Sequence, residues 1–369
     1  MEPVSAALIG PVCLLALGCA VAAVVLWRRL AGPGPRAVLA RSGLLVATQA
    51  ALTASFVLLA NRYFVFYATW NDLLGNDPAK VQVQHVQPQR AAGRLVERTV
   101  TDLGPTRAGH EQDPAEDGRV DRLTIHGVRS GMDGEAYVYL PPQYFQRAER
   151  LPVVILMAEG APEDWLRGAD LPRAARGTQP MLYAMVRLPS AADCVDAPWR
   201  RAALGETYLA QDLPEALASQ YRVAQDEEGW AVAGTGPGGY CAARLAMLRS
   251  DRFAAAASLG GRFGAPDGSG TPDGGGAAGG DLYGGSERLR LGSDLLWRLQ
   301  NVPPPPVSVL VASARDDAQA HRFAALARPP MRVEASLVDG SPASVSQWRD
   351  HVPDVLEWLG ARLRVPPAE

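Results

Sequence analysis

The stretch that decides the fold is Trp230–Ala246, which reads WAVAGTGPGGYCAARLA. Its first residues are apolar and predict a short buried strand. The glycine-rich segment Gly234–Gly239 follows and predicts a tight turn, because glycine accepts backbone conformations that other residues avoid. The small residues after this turn predict a helix that can pack closely on the strand. A strand, a sharp turn and a helix in this order are typical of a parallel sheet with crossover helices.

The sequence on both sides of this stretch continues the alternation. Strands are predicted at Ala136–Leu140, Val153–Met157, Met181–Val186, Trp230–Ala233, Ala254–Leu259, Val307–Ala312 and Met331–Val338. Helices are predicted at Leu204–Gln220, Gly239–Arg249, Ala318–Ala327 and Val345–Leu363. Continuous apolar strands separated by amphipathic helices indicate a mostly parallel sheet covered on both faces. We therefore predict an α/β domain over residues 122–365, interrupted by a disordered Gly-rich loop at 264–280.

The turn Gly234–Gly238 has the layout of the nucleophile elbow, G-x-S-x-G, of α/β-hydrolases. This segment resembles the esterase family that includes esterase D and the mycolyltransferases, and most of all its actinobacterial membrane-anchored members. Supporting matches are Ala136–Tyr144, Leu151–Leu156, Asp193–Asp196 and Tyr67–Gly75. The resemblance implies an α/β-hydrolase-like fold and the hydrolysis of carboxylic esters or the transfer of acyl groups.

Two residues of the elbow depart from what that chemistry needs. Gly236 stands where the family carries the nucleophilic serine, and glycine has no side chain to attack a carbonyl. Pro237 stands where the family donates a backbone N–H to the oxyanion hole, and proline has none. The loss of one such donor costs about 2.7–4 kcal/mol of transition-state stabilisation.

The remaining catalytic positions are read from the same resemblance. Asp316 follows the strand Val307–Ala312 and matches the family's acid. Pro342, or its neighbour Ser341, stands where the family has its histidine. We predict that no catalytic set is intact, since the nucleophile, the oxyanion donor and the base are all missing.

Other side chains could still act in this region. Thr235, Ser258, Ser341 and Ser344 are the hydroxyls that could replace the nucleophile, and turn or strand roles are the alternative for each. Glu159 either repels a developing oxyanion or points to solvent. The histidines are expected to be solvated or to cap helices. No metal-ligand spacing and no phosphate-binding loop is present, so neither a metal nor a cofactor is predicted.

Two apolar segments precede the domain. Residues 6–27 and 44–66 are each long enough to cross a bilayer as a helix. The loop between them carries four arginines and no acid, which marks it as cytoplasmic and places everything after Trp70 outside the cytoplasm. We therefore predict a two-span membrane region over 1–76, then a flexible polar stalk over 77–121. The alternative is a buried apolar hairpin of a soluble protein.

Cys194 and Cys241 are the only cysteines of the predicted domain. An oxidising exterior would let them form a disulfide, and two unpaired buried thiols are the alternative. The matching segments of the esterase family also carry cysteines.

These observations lead to two functional hypotheses. The first is a membrane-anchored, catalytically inactive hydrolase fold at the cell envelope that binds an acyl chain, a glycolipid or a partner protein. The second is an active serine esterase or acyltransferase with a substitute nucleophile. A channel or transporter is disfavoured because there are only two apolar segments and neither holds a charge within the membrane, Arg62 lying at the end of the second. The net charge of −3 gives no reason to expect nucleic acid.

Overall fold

The computed structural model describes residues 6–26, 34–64, 96–101, 113–199, 204–266, 282–340, 342 and 344–365 of the 369-residue chain. Two compact units are present, Met1–Val86 and Gln87–Glu369.

The first unit contains two long helices, α1 (Ala6–Leu26) and α2 (Pro35–Phe64). They pack together, and the hydroxyl of Ser55 on α2 donates to the carbonyl of Val12 on α1 at 3.4 Å. α1 contains no acidic or basic residue in its first or last turn. Among the described residues, no helix is both long enough and apolar enough to cross a membrane, so the two predicted spans find no support. The predicted arginine loop lies largely outside the described residues.

The second unit is built on one sheet of nine strands. These are β1 (Val96–Thr101), β2 (Arg119–His126), β3 (Asp133–Leu140), β4 (Val153–Ala158), β5 (Leu182–Arg187), β6 (Trp230–Thr235), β7 (Ala255–Leu259), β8 (Ser308–Ala314) and β9 (Arg332–Val338). Their spatial order is β1-β2-β3-β5-β4-β6-β7-β8-β9. Antiparallel pairings join β1 to β2, β2 to β3 and β3 to β5. The remaining neighbours in this order, β5, β4, β6, β7, β8 and β9, pair in parallel. The predicted mostly parallel sheet is therefore confirmed.

The helices of this unit are short, and most follow a strand. They are α3 (Pro114–Asp117), α4 (Pro142–Gln146), α5 (Glu163–Arg167), α6 (Leu171–Ala174), α7 (Gly205–Thr207), α8 (Leu213–Gln220), α9 (Pro237–Leu248), α10 (Glu287–Ser293), α11 (Leu295–Asn301), α12 (Ala318–Leu326) and α13 (Val352–Gly360). A π-helical turn, Tyr208–Asp212, joins α7 to α8. Short 3-10 turns lie at Ala175–Gly177, Ala191–Cys194, Glu227–Gly229 and Val345–Trp348.

Two apolar cores lie on opposite faces of the sheet. Along β4, Ile155 and Met157 belong to the core on one face, and Val154 and Leu156 belong to the core on the other. β4, β6 and β7 are buried along their whole lengths, as their continuous apolar sequences predict. Helices α8, α9, α11 and α12 contribute to the first core, and α5, α6 and α13 contribute to the second.

The structure differs from the predicted flexible stalk over 77–121. Val96–Thr101 forms β1, which pairs antiparallel with β2 from Val96 opposite Ile125 to Thr101 opposite Val120. α3 and the start of β2 also fall inside the predicted stalk. The reason is that β1 is an edge strand with an almost wholly exposed pattern, so its sequence lacks the apolar run that marks a buried strand. The predicted Gly-rich loop lies mostly outside the described residues, since only 264–266 of it are described.

Candidate functional site: an elbow without a nucleophile

Gly236 occupies the tip of a sharp turn between β6 and α9. Its backbone has φ 53° and ψ −115°, a left-handed conformation that side chains rarely adopt. The Gly236 N–H donates to the carbonyl of Leu259 at 2.9 Å, which ties the tip to the end of β7. A Cβ added at Gly236 would meet no atom within 4 Å. The turn therefore has elbow geometry and open space where a nucleophile would stand, but no group that could attack.

Two more glycines let the elbow close. A Cβ at Gly234 would collide with the backbone of Gly238. A Cβ at Gly238 would come within 2.5 Å of the carbonyl oxygen of Met157 on β4. The glycines of the motif are thus required by close backbone packing on both sides of Gly236.

Pro237 is the first residue of α9. Proline fits this position because the first N–H groups of a helix have no partner within the helix. Because proline has no backbone N–H, this position cannot donate a hydrogen bond to an oxyanion bound at the elbow. The N–H groups of Gly239 and Tyr240 do not replace it, because both donate to the carbonyl of Gly236, at 3.0 and 3.2 Å.

The positions matched to the acid and the histidine lie at the same edge of the sheet. The Gly260 N–H, one residue after β7, donates to Ala312 on β8 at 2.8 Å. The carbonyl oxygen of Pro342, which follows β9, lies 3.4 Å from where a Cβ on Gly260 would be. Asp316 follows β8 and is exposed. An ion pair of 2.9 Å between Arg315 and Asp339 joins the segments that carry Asp316 and Pro342.

The histidines that the structure describes contact groups other than the matched catalytic positions. His321 on α12 contacts the carbonyl oxygen of Arg315 through Nε2 at 2.7 Å, and His126 at the end of β2 pairs with Asp133 at 2.8 Å. His351 precedes α13 and packs its ring edge-on against Trp348. His85 and His110 lie outside the described residues. None of these contacts involves Gly236, Asp316 or Pro342.

The hydroxyls considered as substitutes are poorly placed. Thr235 and Ser258 are buried within strands, and the Ser258 hydroxyl lies beside the backbone of Gly239 and Gly261. Ser344 caps the turn Val345–Trp348, and Ser341 lies outside the described residues. Glu159 is exposed, in line with the solvent-facing alternative. A carboxylate that the sequence reasoning did not single out, that of Asp164, lies against Gly160 in the loop after β4.

The predicted disulfide is present. Cys194, at the end of the turn Ala191–Cys194, is bonded to Cys241 on α9, with their Cα atoms 5.8 Å apart. Both residues are fully buried. In the same helix, Arg244 donates to the Cys194 carbonyl at 2.8 Å and pairs with Glu206 at 2.7 Å. These bonds fix the helix that begins at the elbow to the loop beyond β5.

A concave cavity of about 800 Å³ lies at the carboxyl ends of β4 and β5. Its wall includes Gly160 after β4, Leu188 and Pro189 after β5, and the first residues of β3. Gly236, Asp316 and Pro342 are not part of that wall. The cavity thus opens at the carboxyl edge of the parallel strands, displaced from the elbow toward β3.

A sheet of this order, with a glycine elbow after its central strand and helices on both faces, defines an α/β-hydrolase-like protein. Residues 129–267 match the family model described as Putative esterase. The resemblance predicted from the elbow is thereby confirmed.

Solved structures share the fold. An S-formylglutathione hydrolase from Agrobacterium tumefaciens superposes with a TM-score of 0.56 at 15% identity, covering 72% of this chain and 100% of its own. A ferulic acid esterase gives 0.52 at 14% identity, covering 67% and 99%. The fluorophosphonate-binding serine hydrolase F of Staphylococcus aureus gives 0.51 at 16% identity, covering 66% and 98%. At sequence identities this low, the superpositions show a shared fold and nothing further.

A relative in sequence is an uncharacterized protein of Corynebacterium glutamicum. It is 26% identical over 245 residues, which are 60% of this chain and 56% of the relative. The chain therefore matches little more than half of that relative's length.

Proposed function

We propose that this protein is a catalytically inactive member of the esterase family whose hydrolase-like domain binds a ligand or partner at the cell envelope. The observation that carries the proposal is Gly236, which holds the elbow conformation with no side chain. Pro237 removes an oxyanion donor next to it, and Pro342 occupies the region where a base would be needed. Three separate parts of an acyl-transfer site are missing, and only the acid position, Asp316, keeps its residue.

The proposal includes attachment to a membrane, with the domain outside the cytoplasm. The helices of the first unit leave large apolar side chains 50–73% exposed: Leu14, Leu15, Leu17, Val21 and Val25 on α1, and Val38, Leu39, Leu45, Val46, Leu52, Phe56 and Val57 on α2. Soluble proteins rarely expose so much contiguous apolar surface, whereas lipid would cover it favourably. The buried Cys194–Cys241 disulfide supports an oxidising location for the domain.

Ester hydrolysis tests the inactive site. The wild type should not turn over short acyl esters or react with a fluorophosphonate probe, because no hydroxyl among the described residues lies beside a base at the elbow. Gly236→Ser alone should also stay inactive, since the new hydroxyl has no base and no complete oxyanion hole. The variant with Gly236→Ser, Pro237→Ala and Pro342→His should recover measurable turnover, with Asp316 as the orienting carboxylate.

The controls separate this proposal from an active enzyme with a substitute nucleophile. Asp316→Ala in the triple variant should abolish the recovered activity. Robust turnover by the wild type that survives Asp316→Ala would show that the chemistry lies elsewhere and would refute the proposal. Loss of fluorophosphonate labelling in Thr235→Val or Ser258→Ala would then identify the substitute nucleophile.

A further inference from the structure

Gln49 is a polar residue on an exposed apolar face of α2. The nearest charged residues of the helix are Arg41 and Arg62, eight and thirteen residues away. At 1.5 Å per residue these lie about 12 and 20 Å along the helix axis. Gln49 is exposed, and the large apolar side chains around it are exposed as well: Leu45, Val46, Leu52 and Phe56. A carboxamide therefore lies within a large apolar surface, far from either charged end.

The face that carries Gln49 is not the face that packs on α1. The hydroxyl of Thr48 donates to the carbonyl of Cys19 on α1 at 3.4 Å. The hydroxyl of Ser55 donates to the carbonyl of Val12, also at 3.4 Å. With 3.6 residues per turn, Thr48 and Ser55 share one side of α2, and Gln49 lies about 100° around the helix from them. The contact between the two helices therefore leaves Gln49 uncovered.

The carboxamide of Gln49 has no hydrogen-bond partner within the part of the chain that the structure describes. Water would satisfy such a group, but lipid cannot, and an unsatisfied polar group in hydrocarbon is costly. A hydrogen bond to a neighbouring helix removes that cost, and glutamine is one of the residues that make such bonds in membranes. If lipid covers α2, as we propose above, this face requires a partner with a polar group at the depth of Gln49.

A second copy of the chain supplies that polar group. Two copies inserted the same way in one membrane are related by a two-fold axis along the membrane normal, so each residue meets its own counterpart at equal depth. A carboxamide both donates and accepts hydrogen bonds, so two facing Gln49 side chains satisfy each other. Ser42, seven residues earlier, lies on the same face, and it is exposed and small enough to let two helices approach closely.

We propose that the protein forms a parallel homodimer through α2, in which the Gln49 carboxamides of two copies hydrogen-bond to each other. The exposed apolar side chains on either side of Gln49 pack against those of the second copy. This inference rests on the membrane attachment in the proposed function and adds a partner for the attached region. A dimer carries two hydrolase-like domains at one point of the membrane, so a ligand with two binding groups is held more tightly than by one domain.

The first test is analytical ultracentrifugation of the purified full chain in a density-matched detergent. The wild type should be dimeric, and Gln49→Leu should raise the dimer dissociation constant about fivefold, as expected for about 1 kcal/mol of interhelical hydrogen bonding. Gln49→Asn keeps a carboxamide and should have a smaller effect. Thr48→Val is the matched control, because Thr48 is a polar residue of the same helix that contacts α1. A monomeric wild type, or equal dissociation constants for wild type and Gln49→Leu, would overturn the proposal.

Cysteine cross-linking in isolated membranes locates the contact. The full chain is used with its free cysteines, Cys13 and Cys19, replaced by alanine. On oxidation, Ser42→Cys should give a disulfide-linked dimer, because Ser42 shares the face of Gln49. Ala54→Cys is the matched control and should not cross-link, since Ala54 is also exposed but lies about 140° around the helix from Gln49. Cross-linking at Ala54 that equals or exceeds cross-linking at Ser42 would refute the contact through this face.

The outcome is separable from that of the proposed function. A chain that stays in the membrane fraction after alkaline carbonate extraction but is monomeric in both tests would refute the dimer and leave the membrane attachment standing. A chain that carbonate releases would refute both, because the dimer contact requires lipid around α2.

Discussion

At the scale of single residues, the elbow contains glycines for two different reasons. Gly236 is needed for a backbone conformation with positive φ, whereas Gly234 is needed because the backbone of Gly238 occupies the space of its Cβ. A serine at position 236 of an active relative would accept the strain for the sake of catalysis. Glycine there keeps the turn without that strain, so the elbow retains its backbone shape without a side chain at its tip.

This distinction predicts unequal effects on stability. Gly236→Ala should cost about 1–2 kcal/mol of unfolding free energy, since alanine accepts the left-handed conformation with moderate strain. Gly234→Ala should cost more, about 3 kcal/mol, because two backbone segments would have to separate in a closely packed core. Gly177→Ala is the control, with an ordinary φ and nothing within 4 Å of its Cβ, and it should be neutral. Chemical denaturation measures all three, and equal losses at 234 and 236 would contradict this account.

The sequence could predict the elbow residues because the motif is local, but it could not predict the cavity. Gly236, Asp316 and Pro342 each follow a strand of a parallel sheet, and such positions meet at one edge whatever the loops do. Tyr208 and Gly134 meet only because β3 runs antiparallel beside β5 and the π-helical turn packs across its start. The contact between Tyr208 and Gly134 therefore cannot be predicted from the spacing of residues in the sequence.

At the scale of elements, α9 is held to the loop beyond β5 by covalent and ionic bonds together. The disulfide joins residues 47 apart in sequence, and Arg244, 6% exposed, pairs with Glu206 from α7. The turn Ala191–Cys194 also carries Ala192 and Asp193, which line the cavity. The wall of the cavity is therefore fixed to the elbow helix.

Removal of the disulfide should destabilise the second unit. Replacement of Cys194 and Cys241 by alanine should lower the unfolding free energy by about 3–4 kcal/mol, the chain-entropy value for a loop of this length. Replacement of Cys13 and Cys19, the free cysteines of α1, is the matched control and should leave the stability of this unit unchanged. Denaturant unfolding under non-reducing conditions measures both, and an unaffected double variant would show that packing alone holds α9 in place.

The sequence predicted the central strands well and the antiparallel edge poorly, for a physical reason. β4, β6 and β7 are buried on both faces, so each is a continuous apolar run that stands out in the sequence. β1 is exposed at four of its six positions, and β2 alternates between buried and exposed residues. Strands at or next to an open edge of the sheet, such as β1 and β2, are specified by pairing with their neighbours, which local sequence does not reveal.

At the scale of the whole molecule, the two units differ in how much of their apolar side-chain surface is buried. The second unit buries its large apolar side chains in two cores, whereas α1 and α2 expose leucines and valines along their lengths. Charged residues do not offset the apolar surface of α1, because its first and last turns contain no acidic or basic residue. The exposed apolar side chains of α1 and α2 support the proposed membrane attachment, and the disulfide of the second unit supports the proposed oxidising location.

This placement predicts how the full chain behaves in cells that express it. The chain should remain in the membrane fraction after alkaline carbonate extraction, because apolar contacts, unlike ionic ones, survive high pH. A protease added to intact cells should remove the region after Trp70, and a single cysteine introduced near Arg36 should resist a membrane-impermeant label. The variant with Leu14, Leu15 and Leu17 changed to Gln should lose membrane retention, while Leu337→Gln, a change at an exposed leucine of β9, should not. Release of the wild type by carbonate would contradict the lipid contact, and protection of the large domain in intact cells would contradict its location outside the cytoplasm.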